Sequence, residues 1–309
     1  MEVSNRIKGV FFGQAIGDAL GLATEFMSKE EVKEHYPNGV PHYQDIVQDK
    51  HRSRWTAGDW TDDTEQWLCI LNSILEHGEI RPLDIASRMH SWMINGGMGI
   101  GISTYRVMSL PQYTEFPYKG SELVWKMKGK NLAPNGALMR NSIVCLYQYQ
   151  DLNLVLDHCD KIARLTHHDP RCVDCCKVMA HLIHGELTGS PVAFDSLKSL
   201  FSTYDSRIAE YILPLSADIT QLSLDEHQSV GYTLKALAAG LWAYYHAEDF
   251  EDGIHQIVME GGDADTNGCI AGSLLGAKYG FEMIPGYLVN GLLQKDELLS
   301  YLDDFRAIG

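Results

Sequence analysis

Apolar residues recur along this chain every three or four positions. Trp67, Leu68, Leu71, Ile74 and Leu75 make one such stripe and Val155, Leu156, Cys159 and Ile162 another, while sustained strict alternation is hard to find. The spacing predicts an all-α protein, a compact orthogonal multi-helix bundle. Helices are expected over residues 5–21, 63–77, 82–95, 101–109, 136–149, 152–165, 171–187, 193–202, 206–213, 228–246, 249–260, 265–280 and 295–304. Segments 37–60 and 110–135, rich in Pro, Gly, Tyr and Lys, read as long surface loops bordering a cleft.

Two predicted helices carry a glycine at every fourth position, Gly9, Gly13, Gly17 and Gly21 in the first and Gly268, Gly272, Gly276 and Gly280 in the late one. Glycine inside a helix costs about 1 kcal/mol against alanine, so four in register need a compensating gain. A stripe without side chains supplies it by letting another backbone approach. Both helices are therefore expected at the centre of the bundle, against each other, which joins the N- and C-terminal thirds in a single domain over residues 1–309. Asp18 and Lys278 exclude a membrane interface for these stripes.

Composition narrows the function classes. The 309 residues are 45% hydrophobic, and 25 Lys and Arg stand against 41 Asp and Glu, a formal charge of −16 without any basic run. Nucleic acid and anionic membranes are thereby disfavoured as partners. No stretch is long and apolar enough to span a bilayer, and the N-terminal apolar stretch, broken by glycines and closed by Asp18, does not read as a signal peptide. Seven cysteines, an odd number, fit a reducing compartment, so a cytoplasmic protein is expected. Cys172, Cys175 and Cys176, with His167 and His168 upstream, invite a zinc site, but the thiols share a helical face with Met179 and Ile183 and read as core.

The chemistry concentrates in two acidic blocks about two hundred residues apart, Thr61-Asp62-Asp63-Thr64 and Asp263-Ala264-Asp265-Thr266. Either alone fits helix capping. Brought together by the glycine helices, the carboxylates would repel by roughly 4 kcal/mol per close pair at an effective dielectric of 20, which calls for cations. An all-oxygen donor set suits Mg²⁺, Mn²⁺ or Ca²⁺ rather than zinc or copper.

These blocks also carry a resemblance. GQAIGDALGLATEF at 13–26, WTDDTEQ at 60–66, GGMGIGIST at 96–104, APNGALMR at 133–140, THHDP at 166–170 and GGDADTNGCIAGSLLGAKYG at 261–280 resemble, in order, the blocks of the ADP-ribosylglycohydrolase family. The resemblance implies a central cleft with two divalent cations, Mg²⁺ or Mn²⁺, and hydrolytic removal of ADP-ribose from a protein side chain or small acceptor by cleavage at the anomeric carbon. Metal ligation falls on Thr61, Asp62, Asp63, Asp263, Asp265 and Thr266, and catalysis on Glu25, Asp62 and Asp265. Gly99, Gly101, Ser103, Asn135, Gly136 and His167 become candidates for substrate binding, and Tyr105 a neighbour of the cleft. Asp18 is read as a structural brace of the glycine-rich helix.

One departure bears on specificity. Several arginine-directed members carry an aspartate where this chain has Gly99, which puts the arginine linkage in doubt and leaves serine, other acceptors or free ADP-ribosides in play. Rival readings are another two-metal nucleotide hydrolase and a non-enzymatic, crystallin-like member. Retention of both acidic blocks and Glu25 speaks against the second.

Overall fold

The computed structural model describes residues 2–214 and 217–308. Among these, sixteen α-helices follow one another with no sheet. The first half holds α1 (Val3–Gly21), α2 (Lys29–His35), α3 (Asp62–His77), α4 (Pro82–Ile94), α5 (Ile102–Met108), α6 (Pro117–Met127), α7 (Ser142–Leu146) and α8 (Leu152–Ala163). The second holds α9 (Pro170–Thr188), α10 (Leu197–Phe201), α11 (Ser206–Ile212), α12 (Thr233–His246), α13 (Phe250–Met259), α14 (Ala264–Tyr279), α15 (Gly286–Gly291) and α16 (Lys295–Ile308).

The centre is the antiparallel pair α1 and α14. A Cβ added at Gly9, Gly13 or Gly17 would overlap the carbonyl of Gly276, Gly272 or Gly268 respectively, and the reverse additions overlap just as badly. The two backbones touch, as the glycine ladders predict. Every residue of α1 from Gly9 and of α14 up to Ala277 is buried, so both helices are enclosed on all sides, polar Gln14, Asp18, Asp265 and Asn267 included. Helices α12 and α13 cover α14, while α3, α7, α9 and α16 pack on α1. This crossing also sets the site, because the C-terminal end of α1 lies beside the N-terminal end of α14. There Gly261 (φ 72°) and Gly262 (φ 68°) turn the chain into α14, and Gly262 N–H donates to Met27 O at 2.9 Å.

The helix pattern holds except where tertiary contacts decide. Segment 110–135 is not loop throughout: α6 starts at Pro117 and turns Gly120 and Val124 inward, packing on α5, a face too narrow to show in the sequence pattern. The expected helix 136–149 resolves into a 3₁₀ turn at Asn135–Ala137 and α7, and the one expected from 228 begins at Thr233. Short α2 and α15 carry too few turns to display a period. Cys172, Cys175 and Cys176 are wholly buried in α9, as the core reading expects. No helix is long and apolar enough to cross a membrane among the described residues.

Candidate active site

Neither acidic block caps its own helix. Thr61 and Asp263, the N-cap residues of α3 and α14, make no side-chain capping bond. The start of α3 is capped instead from α1: Asp18 Oδ1 accepts Thr61 N–H at 3.0 Å and Thr61 Oγ1–H at 2.8 Å, and its Oδ2 accepts Thr64 N–H at 2.9 Å. Asp18 thus braces the first acidic block as well as sitting in the glycine helix.

With α3 fixed this way, carboxylates from three parts of the chain converge. Asp18, Asp63 and Asp265 place one oxygen each within 4.8 Å of one another, and so do Glu25, Asp263 and Asp265. Asp265 belongs to both groups. Burial pushes the Asp18 carboxyl up to about 7 and that of Asp263 up to about 6. Burial, compounded by neighbouring carboxylates, holds Asp62, Asp63 and Asp265 well above the usual carboxylate range. Asp63 Oδ1 is buried with no hydrogen-bond donor among the described residues. Crowded acidic oxygens, one of them without a partner, are a donor set that fits hard divalent cations.

These residues floor a cleft of about 370 Å³. Glu25, Asp62, Asp63, Asp263, Asp265 and Thr266 line it, and so do Gly99, Gly101, Ser103, Asn135, Gly136 and His167. Of the residues singled out in the sequence, Thr61 faces Asp18 and Asp63 from behind the floor, and Tyr105 stands exposed on α5 outside the lining. Glu25 is not a surface glutamate but 8% exposed, held by His51 Nε2 at 2.5 Å from its Oε2.

The walls are tied to the floor by Arg140, a buried cation the sequence did not single out. Its Nη1 donates to Gln66 Oε1 at 2.8 Å and its Nη2 to Thr166 Oγ1. Gln66 Nε2 passes the connection on to Asp62 Oδ2 at 2.8 Å. Thr166 Oγ1 lies 2.7 Å from His167 Nδ1. One guanidinium therefore steadies both Asp62 and His167. The same contacts explain the EQW sequence after the acidic block: Glu65 accepts from Trp60 Nε1 at 3.1 Å, Gln66 links Asp62 to Arg140, and Trp67 packs edge-on against Phe11 at 4.8 Å. Phe26, which lines the cleft mouth, and Arg140 close two of the resembling blocks without standing out in them, while His51 lies outside every block; a histidine among basic residues at 50–54 of an acidic chain is its one faint signal.

The sequence matches the description of ADP-ribosylglycohydrolase over residues 1–308. The chain belongs to the ADP-ribosylglycohydrolase family. It is 28% identical to the ADP-ribosyl-[dinitrogen reductase] glycohydrolase of Rhodospirillum rubrum, over 96% of this chain and 93% of that protein. It is 26% identical to the ADP-ribosylarginine hydrolase Tri1 of Pseudomonas putida (strain GB-1), over 92% of this chain and 73% of the relative. A solved ADP-ribosylglycohydrolase-related protein complex superposes with a TM-score of 0.77 at 29% identity, covering 99% of both chains. As a member of the ADP-ribosylglycohydrolase family the chain is an enzyme of the ADP-ribosyl glycohydrolase class.

Proposed function

We propose that this ADP-ribosylglycohydrolase removes ADP-ribose from a modified protein side chain or small acceptor in a divalent-metal-dependent reaction at the anomeric carbon. The observation that carries the reading is the convergence of two carboxylate groups sharing Asp265 at the floor of the cleft. Thr61, Asp62 and Asp63 from one side and Asp263, Asp265 and Thr266 from the other would hold a pair of Mg²⁺ or Mn²⁺ ions. Asp18 is assigned the part of a brace, because three of the about four acceptor positions of its carboxylate hold the start of α3. Bound there, such ions offset the carboxylate repulsion, polarise ribose hydroxyls and lower the pKa of a bound water.

The chain's own groups supply the rest. Glu25, at the cleft floor, moves a proton at the anomeric centre as general acid or base. The Gly99–Ser103 stretch brings backbone to the wall, where the diphosphate is placed. His167 contributes a donor. The Thr166 hydroxyl accepts from Arg140 and has His167 Nδ1 in reach for its own proton, so the ring proton sits on Nε2. Nε2 is buried beside Gly136 with no protein partner among the described residues, and burial together with Arg140 holds the imidazole well below its usual pKa, hence neutral. A neutral N–H at the cleft wall suits a ribose or phosphate oxygen.

Gly99 supports an acceptor other than arginine. Its φ is +89°, and a Cβ there would lie 2.5 Å from Asp62 Oδ1, so the aspartate of arginine-directed relatives has no room without displacing Asp62. A panel of arginine-, serine- and nucleotide-linked ADP-ribose substrates, each with Mn²⁺ and with chelator, tests the reading. Release of ADP-ribose only with metal is expected, and pyrophosphate release from nucleoside triphosphates without ADP-ribose release would overturn it.

A further inference from the structure

One short segment that the reaction leaves unassigned, residues 49–54, grips Glu25 at both ends. Arg52, 3% exposed, donates from Nε to Ala23 O at 2.8 Å and from Nη2 to the carbonyl of Glu25 itself. Its Nη1 pairs with Asp49, which also accepts the backbone N–H groups of His51 at 2.9 Å and Arg52 at 2.7 Å and so closes the turn. From that turn His51 reaches the Glu25 side chain, Nε2 to Oε2 at 2.5 Å.

The direction of this bond is set one residue further on. Arg54 Nη2 lies against His51 Nδ1. A guanidinium has only donors, so Nδ1 must accept, and the proton of the ring sits on Nε2. His51 therefore donates to Glu25 Oε2. Arg54 is itself held, its Nε on His51 O at 3.0 Å and its guanidinium 4.4 Å over the Trp55 ring. Phe26 and Trp55 pack on the imidazole with ring centres at 5.2 Å and 5.4 Å and fix its plane.

We infer that residues 49–54 form a clamp for Glu25, with His51 as a positioning residue whose tautomer Arg54 imposes. Arg52 fixes the backbone of Glu25, and His51 occupies one carboxylate oxygen, leaving the other for the reacting centre. A glutamate has three rotatable side-chain bonds, and small misplacements of a proton-transfer group are costly to rate. The inference rests on the role proposed for Glu25.

Two substitutions separate positioning from packing. His51→Ala removes the donor, and His51→Gln returns an amide N–H near the position of Nε2. With an ADP-ribosylated substrate, His51→Ala is expected to lower kcat by about tenfold or more, the scale of outer-sphere ligand partners, with KM and the unfolding midpoint little changed. His51→Gln should recover most of that loss. Wild-type kcat in His51→Ala, or a His51→Gln variant as slow as His51→Ala, would overturn the clamp. A long-range ¹⁵N–¹H spectrum of the histidine rings reads the tautomer without any substrate: Nε2–H is expected for His51 and a shift toward a mixture in Arg54→Ala, whereas Nδ1–H in the wild type would overturn it. An inactive wild-type protein with His51 in the expected tautomer would count against the hydrolase reading and leave the clamp standing.

Discussion

Asp265 offers an oxygen to both carboxylate groups, so Asp265→Ala should cost more than the loss of any single ligand elsewhere. Turnover is expected to vanish, and the rise in unfolding midpoint on adding Mn²⁺ should vanish with it; a differential scanning fluorimetry series with and without metal checks the second point. Gly99 gives a prediction of opposite kind, a residue added rather than removed. Gly99→Asp would force a carboxylate against Asp62 at a positive φ, with repulsion of roughly 4 kcal/mol at an effective dielectric of 20. Steady-state kinetics should show kcat/KM down by at least about tenfold for every acceptor, arginine-linked ADP-ribose included. Gain of arginine-directed activity in this variant would contradict the geometry. At this scale the sequence showed the acidic blocks because each is contiguous and chemically unusual. It hid His51, Arg140 and Phe26, whose importance lies in partners 26 to 74 positions away or in a cleft only the fold assembles.

Among the elements, α1 and α14 were legible for a physical reason: four glycines at a four-residue spacing are costly in a helix unless a second backbone fills the stripe. The cost can be turned round as a test. Gly13→Ala gains about 1 kcal/mol of helix propensity, yet its Cβ would overlap the Gly272 carbonyl, a backbone atom that cannot rotate away. Overpacking of about 1–3 kcal/mol or more should win, so chemical denaturation is expected to show a net loss of stability. A neutral or stabilised variant would mean that the two helices are further apart than described. The elements the sequence missed, α2, α6 and α15, are short or expose most of their surface, and their form is set by contacts the pattern does not contain.

Across the whole molecule, the buried carboxylates make stability depend on pH and on metal together. The folded-state pKa values of Asp18 and Asp263, about 7 and about 6, lie above the ordinary 3.8 of an exposed aspartate. In that window the folded state binds more protons than the unfolded state, so without metal the stability contribution is complete near pH 4 and is lost as pH rises toward 7. Asp160, Asp169 and Asp205, held below the usual range after burial is offset by their arginine and lysine hydrogen bonds, or mainly by them, act in the opposite direction only below pH 4. Six histidines held below the ordinary 6.5 mainly by burial, His158, His167, His168, His181, His246 and His255, act the opposite way in this window, so the acidic centre is read as a difference: between pH 4.5 and 7 in chelator the wild-type midpoint should fall relative to that of Asp263→Asn, and Mg²⁺ or Mn²⁺ should remove that relative fall. A difference between the two midpoints that stays constant or rises over this range would argue against a buried acidic centre.

The central claim is that two distant acidic blocks meet around divalent ions, and direct Mn²⁺ binding to the whole protein tests it without a substrate. Equilibrium titration followed by electron paramagnetic resonance should find a coupled pair of Mn²⁺ ions per wild-type chain and lose the pair in Asp265→Ala. Unchanged Mn²⁺ binding in that variant, or none in the wild type, would contradict the account.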